Sequence, residues 1–229
     1  MSSDFAVVIQ RCMQNDAALR RRLETDPAFR EQELARLARL EETEKQEQRD
    51  EIERRRIARG IPRRVWPYLD AGERTKAIMD VSEFMQGPLT LLFLGGGEGP
   101  GKTVAACTAL DRNAGLFVKA GDVARARKDK AEWDPLVFAH VLVVDDLGAS
   151  YEDDKGWVAG AFYELIDRRY DALGKTIVTC NLTAKAFRQH YCNDGGRLAG
   201  RIREAGVFIE LDGESMRGRP RAPDGTAAS

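Results

Sequence analysis

Leu91-Leu92-Phe93-Leu94-Gly95-Gly96-Gly97-Glu98-Gly99-Pro100-Gly101-Lys102-Thr103 is the stretch that decides how the rest of the chain is read. Its apolar start reads as a buried strand, and Val104-Ala105-Ala106-Cys107-Thr108-Ala109-Leu110 after it reads as a helix. Between them, Gly96 to Thr103 fits the phosphate-loop pattern G-x-x-x-x-G-K-[ST], in the strand–loop–helix context that pattern needs. The residue types have physical reasons. Glycines let backbone N–H groups curl around an anion with no Cβ in the way. The helix N-terminus adds partial positive charge at the phosphates. Gly96, Gly97, Glu98, Gly99, Pro100, Gly101, Lys102, Thr103 and Val104 are therefore the expected nucleotide-binding set. Lys102 would bring an ammonium to the β- and γ-phosphates, and the Thr103 hydroxyl would ligate Mg²⁺. Pro100 is unusual in such a loop but is tolerated after Gly99.

The bulk numbers bound the rest. A chain of 229 residues suits one domain with an appendage. With 43% hydrophobic and 32% charged residues it can fill a core and still carry a strongly charged segment. The net charge of −1 gives no global attraction to nucleic acid or to an anionic membrane, so any DNA contact must come from a local basic patch. No apolar run is long enough to span a bilayer, and the N-terminus lacks the basic-then-apolar pattern of a signal peptide. The cysteines Cys12, Cys107, Cys180 and Cys192 form no C-x-x-C pair, and with only His140 and His190 beside them no zinc site can be completed. A reduced, cytoplasmic protein is the economical expectation.

Short helical patterns run through residues 5–24, and Asp26-Pro27 fits an N-cap followed by proline at the first helical position. Leu34, Leu37 and Leu40 keep helical spacing, and Glu41–Arg59 is almost entirely polar, with acids preceding bases as in Glu41–Lys45 and Glu51–Arg55. One long, mostly solvated helix ended by Gly60 is expected. It reads either as a surface helix or linker, or as an arm whose leucine stripe engages a partner protein. Residues 1–59 form this arm, 60–217 the core, and 218–229 a disordered tail rich in Gly, Pro, Arg and small residues. Within the core, strands are expected at Thr90–Leu94, Leu116–Lys119, Val141–Asp146, Thr176–Asn181 and Val207–Leu211. Helices are expected at Glu73–Met85, after the phosphate loop to about Asn113, at Trp157–Leu173 and at Leu198–Glu204. Apolar strands alternating with helices argue an α/β domain with a parallel sheet covered on both faces.

In such sheets ligands sit outside the carboxyl ends of the strands. Asp145, ending Val141-Leu142-Val143-Val144-Asp145-Asp146, can hold Mg²⁺ opposite Thr103. Asp146 can orient or deprotonate the attacking water. An Asp is shorter than the Glu usual at that place, which predicts slow hydrolysis. Asn181, ending the next apolar strand, can reach the γ-phosphate and the water. Arg197 and Arg201 are spaced to share a helix face, so either could serve a neighbouring subunit as an arginine finger. Arg217 could read the γ-phosphate from its own subunit. Arg125, Arg127, Lys128 and Lys130 cluster after the second strand, either as a solvated face or as a contact for nucleic acid.

Taken in order, Gly60-Ile61-Pro62, the phosphate loop, Val141–Gly148, Leu165-Ile166-Asp167-Arg168-Arg169-Tyr170, Thr176–Leu182, Arg197–Ile202 and Gly213–Arg217 resemble the bacterial helicase-loader AAA+ ATPases, DnaC and DnaI, and their relative IstB, the ATPase partner of a transposase. The doubled Asp also looks like IstB and many loaders. The resemblance implies an AAA+ P-loop sandwich with strand order 5-1-4-3-2 and ATP and Mg²⁺ bound between subunits, hence a homo-oligomer in the ATP state. By motif position it makes Asn181 sensor 1, Arg201 the finger with Arg197 as runner-up, and Arg217 sensor 2. It implies an ATPase that acts on a replicative helicase, or alternatively on a transposase, and single-stranded DNA bound through the basic cluster. A nucleotide-gated interaction protein with little turnover is the further alternative. The chain stops soon after the last strand, so the C-terminal helical lid common in AAA+ proteins is expected to be absent.

Overall fold

The computed structural model of the protein describes residues 17–97, 99, 101–148, 157–192 and 196–211. The helical pattern at 5–16, Glu98, Pro100, Arg217 and the tail 218–229 lie outside the described residues. The chain divides into two units, Met1–Arg54 and Arg55–Ser229.

In the first unit, helix α1 (Ala17–Thr25) is followed by α2 (Pro27–Ala58), which continues into the second. The expected cap is present: Asp26 Oδ1 accepts from the N–H groups of Ala28 and Phe29, both at 3.1 Å. Leu34 and Leu37 are half-buried, and Leu40 is exposed. Beyond them the helix carries solvated pairs, Glu41–Lys45 at 4.0 Å and Glu51–Arg54 at 3.0 Å, each contributing a few tenths of a kcal/mol, about 0.2–0.5.

In the second unit α2 stops at Gly60. Its φ of 74° is left-handed, and the Ile61 N–H closes back on the Arg56 carbonyl at 3.0 Å. A short turn (Arg63–Val65) leads into α3 (Trp66–Ala71), and α4 (Lys76–Gln86) is capped by Thr75, whose hydroxyl accepts from Ile78 N–H at 3.3 Å. The core then alternates: β1 (Leu91–Gly95), α5 (Lys102–Arg112), β2 (Gly115–Lys119), α6 (Ala120–Ala126), α7 (Lys130–Phe138), β3 (Val141–Leu147), α8 (Trp157–Asp171), β4 (Lys175–Cys180), α9 (Ala184–Tyr191), α10 (Arg197–Ala205) and β5 (Gly206–Glu210).

All four pairings are parallel, and the order β2-β3-β4-β1-β5 is the expected one read from the other edge. Successive side chains of a strand face opposite ways, and β1 obeys this. Leu91 and Phe93 pack with Val123, Trp133, Phe162 and Phe187 on one face. Leu92 and Leu94 pack with Ile78, Val81, Phe84, Ala106 and Leu110 on the other. A strand buried on both faces has no polar side to alternate with, which is why it reads as a continuous apolar run.

Four helices were not foreseen: α3, α6, α7 and α9. α7 has Pro135 inside it, but Asp129 caps it by accepting from Ala131 N–H at 2.8 Å, and Trp133, Leu136 and Val137 anchor it in the core. The carbonyls of Leu136, Val137 and Ala139 all accept from Arg169 Nη1 at 2.7–2.9 Å. α3 and α9 are short, and α9 depends on a Thr183 cap and buried Phe187. Arg169 is fully buried, and it also donates to Thr176 Oγ1 at 2.8 Å and to Lys175 O at 2.7 Å, so carbonyls rather than a carboxylate satisfy its charge. Burial pushes its guanidinium down to about 10, which still leaves it charged at neutral pH. Among the described residues no helix is long and apolar enough to cross a membrane.

Candidate nucleotide site

The sheet order sets the site. β1 delivers the phosphate loop and β3 delivers Asp145, with β4 between them. Gly96, Gly99 and Gly101 have φ of 106°, 97° and 80°, values that a Cβ resists, and a Cβ at Gly96 would meet the Leu211 carbonyl at 2.3 Å. Lys102 opens α5 and is buried. Its ammonium donates to the carbonyls of Gly96, at 3.0 Å, and Gly97. The loop thus holds its cation inside itself, at the N-terminus of a helix whose first N–H groups face the same space.

Thr103 Oγ1 donates to Asp145 Oδ1 at 2.8 Å. The same oxygen accepts from Thr179 Oγ1 at 2.7 Å, and Thr179 in turn accepts from Asp146 N–H at 3.0 Å. Thr179 is thus the hydroxyl that bridges β4 to the tip of β3. The register between these strands slips by one residue between Val144 and Leu147. Asp146 sits in that bulge with φ 66°, a left-handed conformation that Asp tolerates better than most residues. The bulge takes Asp146 out of the alternation that buries Asp145, and leaves it exposed at the cleft. A buried carboxylate carrying two hydroxyl bonds on one oxygen is held in a single orientation. Asp145 Oδ2 meets Arg64 Nη2 at 3.7 Å.

Arg64, Val65, Tyr68, Gly99, Gly101, Lys102, Thr103, Val104, Asp145, Asp146, Thr179 and Asn181 line one cleft of about 230 Å³. Of the described members of the expected set, the cleft brings together all but the finger arginines, the exposed Gly97 and the buried Gly96, whose carbonyl accepts from Lys102. The donors suit Mg²⁺: hard oxygens, a hydroxyl and a carboxylate in contact, in a loop built for phosphate. Thr179, Arg64 and Tyr68 were missed. A threonine in a strand is ordinary, and an arginine on a polar turn draws no notice. The doubled arginine Arg63-Arg64 beside Gly60-Ile61-Pro62 was the available signal.

Arg201 lies elsewhere. Its Nε donates to Asp167 Oδ1 at 3.2 Å, and its guanidinium stacks 3.9 Å from the Tyr170 ring centroid. Asp167 raises its pKa further. It lines a second, larger cleft of about 470 Å³ with Tyr163, His190, Tyr191 and Leu198, which contains none of the glycine-loop residues 96–103. Arg197 opens α10, but its side chain lies outside the described residues. The basic cluster is exposed and partly paired: Arg125 with Asp122 at 3.1 Å, Arg127 with Glu164 at 2.6 Å, and Lys130 with Asp134 at 3.9 Å. Among the described residues no His, Cys, Asp and Glu group could hold a metal by itself.

No protein-family profile and no curated protein sequence matches the chain. Solved structures do. The crystal structure of the DnaC helicase loader matches with a TM-score of 0.52 and 23% identity, covering 66% of this chain and all (100%) of that one. The crystal structure of DnaI matches with a TM-score of 0.54 and 23% identity, covering 69% of this chain and 94% of that one. The glycine loop, the five-stranded parallel sheet and these two likenesses agree: the chain has the P-loop α/β fold of the DnaC and DnaI structures.

Proposed function

We propose that the chain is an AAA+ ATPase of the helicase-loader type, which binds Mg·ATP, hydrolyses it slowly, and acts on a replicative helicase and single-stranded DNA. The observation that carries the nucleotide part is the 2.8 Å bond from Thr103 to Asp145. It joins two motifs far apart in sequence at the mouth of the phosphate loop. In this reading the loop amides and Lys102 hold the phosphates, and Thr103 and Asp145 hold Mg²⁺, which supplies charge neutralisation at the phosphates. Asp146 and Asn181, both exposed at the cleft, orient the water. Arg201, held by Asp167, is presented to a neighbour's nucleotide in a homo-oligomer, with Arg197 as the alternative finger and Arg217 acting in its own subunit. The fold-level likeness to DnaC and DnaI supports the loader role. Residues 1–59 would bind the partner, and Arg125, Arg127, Lys128 and Lys130 the DNA backbone.

The test uses the full chain with a ring-shaped replicative helicase, and with fluorescent single-stranded and duplex oligonucleotides, each with and without ATP. The loader reading expects helicase association and single-strand binding that falls with salt. Absence of both refutes it. Preference for duplex, with self-assembly along it, would favour a transposase helper of the IstB type instead.

A further inference from the structure

We propose that Arg64 is a positioning residue for the metal-binding carboxylate: it pairs with Asp145 Oδ2 until Mg²⁺ takes that oxygen, and so sets how much Mg²⁺ nucleotide binding requires. The inference rests on the Mg·nucleotide reading above and goes beyond it. Asp145 Oδ1 is already engaged by Thr103 and Thr179, so Oδ2 is the oxygen left for a cation, and Arg64 Nη2 stands 3.7 Å from it. That separation is an ion pair without a hydrogen bond. The arginine side chain is 64% exposed while the aspartate is 3% exposed. A smaller, doubly charged ion can therefore displace the guanidinium into solvent at little cost.

The turn that carries Arg64 is not a loose surface segment. Ile61 and Val65 on either side are buried, and Trp66 Nε1 donates to Ile61 O at 3.1 Å. Just upstream, the last turn of α2 is fastened to the far end of the phosphate-loop helix. Arg56 is buried and donates to both Asp111 oxygens at 2.8 and 3.1 Å and to Asp70 at 2.8 Å, and Arg59 donates to the carbonyls of Leu110 and Asp111. Segment 56–65 thus touches α5 at its C-terminal end through Arg56, and reaches the metal carboxylate at the opposite end of that helix through Arg64. Arg63, next in sequence, points elsewhere and lies 5.5 Å from the Trp66 ring centroid.

The experiment titrates Mg²⁺ into the full chain at a fixed low concentration of a fluorescent N-methylanthraniloyl derivative of ADP, and reads binding, not turnover. Arg64→Ala should lower the Mg²⁺ concentration at half-saturation by about two- to fivefold, the range an exposed pair is worth. Arg64→Lys should fall between, and Arg63→Ala should follow the wild type. Melting midpoints confirm that each variant is folded. An Arg64→Ala curve that coincides with the wild type, or that shifts to higher Mg²⁺, overturns the inference and leaves the nucleotide reading intact. A wild-type protein that binds no nucleotide overturns both.

Discussion

Thr179→Val is the most informative single change. The side chain is 2% exposed and valine has nearly its shape, so the change removes a hydroxyl without opening a cavity. Two bonds go with it. The donor to Asp145 Oδ1 at 2.7 Å is charge-assisted, worth about 1.5–3 kcal/mol, and the acceptor for Asp146 N–H at 3.0 Å is worth about 0.5–1.5 kcal/mol. The added methyl returns about 0.8 kcal/mol. The net loss is about 1–4 kcal/mol, which for a domain of this size lowers the melting midpoint by roughly 2–15 °C. The functional effect is separate. Asp145 keeps Thr103 as its hydroxyl partner but loses the one that fixes its orientation from β4, so affinity for Mg·nucleotide should fall about tenfold or more. Thermal melting and fluorescent nucleotide binding, each in Mg²⁺ and in EDTA, read the two effects. Thr108→Val is the control, since that hydroxyl only back-bonds to Ala105 O within its own helix. A Thr179→Val protein as stable as the wild type, with unchanged Mg·nucleotide affinity, would refute the reasoning.

Arg169→Met should destabilise the core by about 3 kcal/mol or more, because it strips donors from the carbonyls of Leu136, Val137, Ala139 and Lys175 while leaving them buried; chemical denaturation checks this. Arg201→Ala should leave nucleotide affinity of the isolated chain within about twofold, since the residue is outside the cleft. The same variant should lower ATP turnover in the assembled state by about tenfold or more, as a finger requires; turnover measured across protein concentration separates the two.

Much of this site is legible in sequence because its parts sit where an element ends. The apolar runs of β1 and β3 are unbroken because both faces are buried, so the first polar residue after each marks the carboxyl edge: the glycine loop and Asp145; β4 carries Thr176 and Thr179 within it, and Asn181 follows its end. Strand limits accordingly fall within a residue or so of those read from the chain. What escapes notice depends on partners far away along the chain. Thr179 matters through Asp145, and nothing about a threonine within a strand signals such a partner. Arg64 gains meaning only when α3 folds back beside α5. The pairing of Arg201 with Asp167 joins α10 to α8, and that of Arg127 with Glu164 joins the α6–α7 turn to α8, so neither charge can be counted as free from its spacing alone. α7 escapes for a different reason: Pro135 argues locally against a helix, and only the cap at Asp129 and the buried Trp133 outweigh it.

The central claim is that the phosphate loop and Asp145 form one Mg·ATP site, and calorimetry of Mg·ATP binding tests it most directly. The wild type should bind with a measurable heat that weakens in EDTA. Lys102→Ala should lose about ten- to hundredfold in affinity, the scale of a charge-assisted contact, and Asp145→Asn should lose the Mg²⁺ dependence. No heat from the wild type, or equal affinity in all three proteins, would contradict the account.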